Sequence, residues 1–177
     1  DWSSDVCSSD LLEEILAIAQ LPQRFLFSGL EPRVELVDLH QDARGRTHYG
    51  VLAPVGAPSR GVAYLTWEAE TALYPMVEAW PVPTRSAETY LVRREGEGVR
   101  FLTPLRHQAD AALALERPLA TPDLPAARAA LGERGILSGG RDYRGVPVLA
   151  YAAAVEGTPW LMLAEIDERG ILTTPTR

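Results

Sequence analysis

Strand-like apolar runs, separated by turns rich in Gly, Pro and Asp, dominate the pattern of this chain. Arg33 to His40 (RVELVDLH), Thr47 to Pro54 (THYGVLAP) and Val62 to Trp67 (VAYLTW) are three such runs. Asp42-Ala43-Arg44-Gly45 and the stretch Gly56 to Gly61 (GAPSRG) supply turn chemistry between them, so the segment predicts a three-stranded antiparallel meander. Glu88 to Arg94 (ETYLVRR) and Val99 to Leu105 (VRFLTPL) predict a hairpin around Glu95-Gly96-Glu97-Gly98. Further strands are expected near 137–143, 146–155 and 159–167, with turns at Arg144-Gly145 and Glu156-Gly157-Thr158. Two separate antiparallel sheets follow from this layout, one before and one after residue 80.

Helical periodicity is confined to three stretches. Leu11 to Gln20 carries apolar residues at 11, 12, 15, 16, 18 and 19, opposite Glu13 and Glu14, and Pro22 ends it. Residues 68–80 place Leu73, Met76, Val77 and Trp80 on one side, with Trp80 expected to pack helix against sheet; Pro75 calls for a kink or a late start. Residues 106–135 are Ala-rich and helical in part, interrupted by Pro118, Pro122 and Pro125; Asp123 is expected to cap the helix that Pro125 opens and that runs to about Leu131.

The meander recurs. Gly45 and Gly145 occupy equivalent turns 100 residues apart, each followed by two strands, the second of which contains Trp67 or Trp160. The chain therefore reads as about one and a half copies of an α+β unit, the first copy truncated at its N-terminal side.

With 177 residues the chain is one ordinary domain or two small ones, long enough to bury a core without a metal or disulfide staple. A net charge of −7 argues against a nucleic-acid footprint, and no window holds about 18 consecutive apolar residues as a membrane span requires. All 17 basic residues are Arg. Residues 1–11 (DWSSDVCSSDL) back-translate to a short-read sequencing adapter, so residues 1–10 are expected to have no packed role and Cys7, the single cysteine, with them. Without Asp1, Asp5 and Asp10 the net charge is −4, from 21 acids and 17 bases.

Three segments resemble one family. LYPMVEAWPVPTRSAETYLVRREGEGVRFLTPLRH (73–107) is similar to the entry into the second unit of double-Cache sensor domains, RDYRGVPVLAYAAAVEGTPWLMLAEID (141–167) to its C-terminal meander, and VDLHQDARGRTHYGVLAPV (37–55) to the end of the first unit. These are the PAS-like, extracytoplasmic ligand-sensing modules of bacterial sensor histidine kinases and diguanylate cyclases. The resemblance implies tandem PAS-like units with helical crossovers. Residues 11–67 would be the C-terminal part of a first unit, 68–83 a connecting helix, 84–168 a second unit and 169–177 a truncated tail. It further implies a periplasmic domain of an inner-membrane receptor, homodimeric when intact, that relays small-molecule binding to a cytoplasmic output module by population shift, touching the membrane only through flanking segments. The alternative is a cytosolic PAS-like or roadblock-like interaction module acting by dimerisation.

Chemistry-bearing residues are few. His40 and His48 flank the first turn near Asp38, but the hairpin is expected to pair 40 with 47, and no metal site is expected. No nucleophile elbow, phosphate loop or catalytic constellation is visible, so no enzyme activity and no cofactor are expected. Arg93-Arg94 and Arg141/Arg144, interleaved with Glu88, Glu95, Glu97 and Asp142, read as a solvated mixed-charge face. The candidate ligand site lies between the second sheet and the 106–135 crossover. Arg106 is its anion clamp for a carboxylate or amino acid, and Tyr90 and Tyr143, with Tyr151 nearby, its polar lining. The bland competitor is a unit filled by its own side chains and serving as a spacer.

Overall fold

The computed structural model describes residues 34–55, 61–79 and 84–171. Expectations for residues 1–10, for the helix at 11–20, for Trp80 and for the tail beyond 171 lie outside the described residues. The chain divides into two compact units, Asp1–Glu68 and Ala69–Arg177.

In the first unit β1 (Glu35–Gln41), β2 (Thr47–Val55) and β3 (Gly61–Glu68) form the expected meander in the order β1-β2-β3. Its register departs from expectation. The β1–β2 ladder shifts by one residue between Val37 and His40, which brings His40 opposite His48 rather than Thr47. An extra residue on one strand is a bulge, which no periodicity reveals. The Asp42 side chain builds the turn that follows: its Oδ1 accepts the backbone N–H groups of Arg44 and Arg46 at 2.9 and 2.8 Å, while Gly45 takes a φ of 78°. That conformation is open to glycine and strained for residues with a Cβ.

The second unit holds a six-stranded, wholly antiparallel sheet. Its strands are β4 (Glu88–Glu95), β5 (Gly98–Phe101), β6 (Glu116–Pro118), β7 (Gly135–Arg141), β8 (Pro147–Ala154) and β9 (Trp160–Asp167), in the order β6-β5-β4-β9-β8-β7. β1 pairs with β2 and not with any of these, so two sheets form as expected. Helices are short: α1 (Leu73–Glu78), α2 (Pro125–Ala130) and α3 (Glu168–Ile171). The fold is α+β with a helical crossover between β5 and β7. No helix among the described residues is long and apolar enough to cross a membrane.

Within the segment 68–80 the helix is α1, with the late start that Pro75 calls for: proline is tolerated in a first turn and not in a helix interior, so the helix begins just before it. Two local expectations are corrected. The second hairpin strand stops at Phe101 instead of Leu105: the Phe101 carbonyl accepts from Leu113 N–H, and the chain turns into the crossover. Asp123 does not cap α2, whose N-cap position is Leu124 and makes no side-chain hydrogen bond; the Asp123 carbonyl accepts Arg141 N–H at 2.7 Å instead.

The hundred-residue repeat is geometric as well as textual. The β7–β8 ladder shifts between Leu137 and Gly140, one hundred residues after the shift in β1–β2. Asp142 Oδ1 accepts Arg144 and Val146 N–H at 2.8 and 3.1 Å, and Gly145 has a φ of 80°. Trp67 and Trp160 do lie on corresponding strands, but at opposite ends of them, facing His48–Tyr49 and Ala154–Val155 respectively.

Even-numbered residues of β4 and odd-numbered residues of β9 face the crossover. Tyr90, Val92, Val99, Phe101, Leu137, Ala150 and Leu163 there pack against Leu115, Leu119, Leu124, Ala126 and Ala129. Each fully buried Leu, Val or Phe contributes roughly 1.5–3 kcal/mol. On the opposite face α1 covers β4, with Leu73, Tyr74 and Val77 buried and Tyr74 Oη donating to the Leu102 carbonyl at 3.1 Å. Ile136, Tyr151 and Met162 stay exposed.

Candidate functional site

The core described above is filled by side chains for most of its length, and at one end it becomes polar. Glu88 opens β4, Glu165 lies near the end of β9, and the two are direct cross-strand partners on the inner face. Asp142, in the turn after β7, closes the same end. Each of the three is at most 7% exposed, and an oxygen from each lies within 4.8 Å of one from the others.

Tyr90 and Tyr143 hold two of these carboxylates. Tyr90 Oη donates to Glu165 Oε1 at 2.6 Å, and Tyr143 Oη donates to Glu88 Oε1 at 2.9 Å while accepting from His107 N–H at 3.3 Å. Their rings meet edge to face, with centroids 6.5 Å apart, and both contact Phe101. Burial pushes both phenols above their usual range, and the charges of Glu165 beside Tyr90 and Glu88 beside Tyr143 push the same way. These tyrosines therefore donate.

Arg144 is the cation of the cluster. Its Nε donates to Asp142 Oδ2 at 2.7 Å, its Nη2 donates to Asp167 Oδ1 at 2.6 Å, and its guanidinium lies 5.8 Å from the Tyr143 ring centre. Asp142 is thereby saturated, with two backbone N–H groups on Oδ1 and the guanidinium on Oδ2. A hard cation such as Ca2+ or Mg2+ takes six or more oxygens, and Asp142 has no lone pair left to give one. The trio is poorly suited to a metal.

Glu165 stands apart. Its Oε2 is buried and has no hydrogen-bond partner. Burial pushes its carboxyl up to about 8, against the Tyr90 hydrogen bond, and the Asp142 and Glu88 charges add to the upward push.

The three residues singled out in the sequence thus converge on one end of the sheet, in different roles. Tyr90 and Tyr143 point at carboxylates of the protein itself. Arg106 reaches Glu88 Oε2 through its backbone N–H at 3.0 Å, while its guanidinium donates to the carbonyls of Thr84 and Arg85 at 3.1 and 2.8 Å. Beside them is a groove of about 290 Å³ whose walls include Glu78, Glu88, Thr89, Pro104, Leu105 and Arg106. Tyr151 does not belong to the site: it is on the outer face and 53% exposed, because its neighbours Ala150 and Ala152 point inward.

Glu88 and Asp142, expected on a solvated mixed-charge face, are buried. Strand parity carried the signal: Glu88 shares the phase of Tyr90 and Val92, and Glu165 that of Leu161 and Leu163. In the first unit the corresponding turn keeps the bridging pattern with other residues. Arg46 spans Asp42 and Glu68 as Arg144 spans Asp142 and Asp167. Buried His48 adds an Nε2 contact to Asp42 at 3.2 Å.

No protein-family model matches the chain, and no curated protein matches it.

Proposed function

We propose that this chain is part of the extracytoplasmic sensory region of a membrane-bound bacterial receptor, built from tandem PAS-like units of the Cache type. The observation that carries the reading is the order of strands in the second unit. Numbered within that unit and leaving out the three-residue edge strand β6, the sheet β5-β4-β9-β8-β7 runs 2-1-5-4-3, with the helical crossover between strands two and three. That order is the one expected of a PAS-like unit, and it supports the reading. The repeated meander, with its bulge and Asp turn one hundred residues apart, supports a tandem origin. In this reading the chain has no catalytic role of its own and acts by ligand-biased change of conformation.

The groove beside Glu88 and Arg106 is the proposed ligand site. It sets a carboxylate next to a guanidinium, which suits a small zwitterion such as an amino acid: with Arg106 Nη1 held by the Thr84 and Arg85 carbonyls, the remaining N–H groups of its guanidinium take the ligand carboxylate and Glu88 takes the ammonium. Tyr90 and Tyr143 hold the acidic wall in place from behind. A thermal-shift screen of amino acids and small dicarboxylates on the full chain tests this. A ligand at 100 times its dissociation constant stabilises by about 2.7 kcal/mol, and Arg106→Ala abolishes the shift. The ligand-binding reading fails if no compound raises the melting temperature, or if Arg106→Ala responds as the parent does.

A further inference from the structure

The polar end of the second sheet contains more acid than its surroundings neutralise. Glu88 and Tyr90 face Glu165 from β4, Asp142, Tyr143 and Arg144 from the turn between β7 and β8, and Asp167 from β9 itself; Arg106 and His107 approach from the crossover through their backbone N–H groups. Among these groups Arg144 is the one guanidinium turned inward, and Asp142 and Asp167 occupy it. Glu88 has two donors of its own, Tyr143 Oη and Arg106 N–H. Glu165 has Tyr90 on Oε1 and nothing on Oε2, although it is 2% exposed and its carboxylate sits against two others. A buried carboxylate oxygen without a donor costs several kcal/mol, whereas a carboxylic acid there is itself a donor beside the Glu88 carboxylate, which can still accept.

We propose that the second sheet carries a proton-binding site: Glu165 is held as a neutral acid whose O–H is directed to the Glu88 carboxylate, and losing that proton loosens the β4–β9 pairing. Burial pushing its carboxyl to about 8 agrees with the geometry. Proton binding is thus a second input at the same end of the sheet. It rests on the sensory reading only for what is signalled, not for its chemistry.

The sign follows from linkage. The unfolded chain releases this proton near the ordinary glutamate value of about 4.3, and the folded chain keeps it until about 8. Between these values the native state binds more protons, so stability contributed by the site falls as pH rises through that window and levels off above it. Glu165→Gln is neutral at every pH, keeps an acceptor for Tyr90 and places an N–H₂ where the acid proton was.

The experiment measures urea unfolding of the full chain against pH for the parent and Glu165→Gln, and records the infrared carbonyl stretch of protonated carboxyl groups. The variant should gain on the parent steadily from pH about 5 to about 8, and the parent should show a protonated-carboxyl band at neutral pH that disappears in alkali and is missing from the variant. Parallel pH profiles, or no such band in the parent at neutral pH, overturn the proposal. The infrared band decides it even where Glu165→Gln does not fold. An amino-acid screen without hits leaves this result untouched, so the two readings fail separately.

Discussion

Replacing Asp142 by Ala removes the residue on which the turn between β7 and β8 is built. Its carboxylate is fully buried and accepts Arg144 N–H at 2.8 Å, Val146 N–H at 3.1 Å and Arg144 Nε at 2.7 Å. A hydrogen bond to a charged group is worth about 1.5–3 kcal/mol net, so three of them total roughly 5–9. The full sum is not lost, because water reaches the turn once the side chain is gone and Arg144 retains Asp167. We expect a loss of about 3–5 kcal/mol, a large share of the roughly 5–15 kcal/mol of an ordinary domain. Asp142→Asn separates the contributions: its Oδ1 still serves both backbone N–H groups, but its amide faces Arg144 and the ion pair is gone, for a cost of about 1–3 kcal/mol. Urea unfolding at mildly acidic pH, with Glu165 neutral, measures both, and unchanged m-values would show that the unfolded state is unaltered. If Ala costs less than about 1 kcal/mol, or if Asn costs as much as Ala, the carboxylate does not organise the turn.

Two further outcomes are expected. Gly140→Ala should destabilise by about 1–3 kcal/mol in the same assay, because its Cβ would meet Pro125 Cγ at 2.9 Å and the Asp123 carbonyl at 3.0 Å; Gly45→Ala, with open space around its Cβ and a φ of 78°, should cost only about 1 kcal/mol, and the reverse ranking would contradict the packing of α2 on β7. Burial pushes the Asp42 carboxyl up, but N–H groups of Arg46 and Arg44, His48 and the Arg46 guanidinium outweigh it and hold the carboxyl far below its ordinary range. The stability this confers is present above the unfolded value of about 3.9 and is lost as pH falls through the folded one, so acid titration should destabilise the parent more steeply than Asp42→Asn.

The parts of the fold that sequence discloses are those determined by neighbours in the chain. Asp42 with Gly45, and Asp142 with Gly145, carry turn chemistry within five residues, and both meanders follow from them. Strand β6 does not: Glu116–Pro118 is three residues long, ends in Pro, and exists because β5 offers it an edge. The one-residue bulges are equally hidden, since periodicity reports which face a residue occupies and not how many residues oppose it; hence His40 meets His48. Tyr90 and Tyr143 are legible as polar residues of expected strands, and Arg106 as the residue that follows one and opens the crossover. Their partners Glu88 and Glu165 are not legible in the same way, because acids within strands so often face solvent and only the distant pairing of β4 with β9 sets them side by side. The guanidinium of Arg106, expected to clamp an anion, is directed by backbone carbonyls of its own chain.

That pairing has a consequence for the order of assembly. The β4–β5 hairpin and the β7-β8-β9 meander are each closed by turns of a few residues, at small entropic cost and on the timescale of microseconds. Joining them brings together residues such as Tyr90 and Glu165, 75 positions apart, and must wait until the crossover is laid down. The transition state for the second unit is therefore expected to contain both hairpins and to be limited by closure of the long loop. Glu88 joins Asp142 and Glu165 only at that closing step. Folding of this unit should accordingly slow as the solution becomes more alkaline, while its separate hairpins form at an unchanged rate.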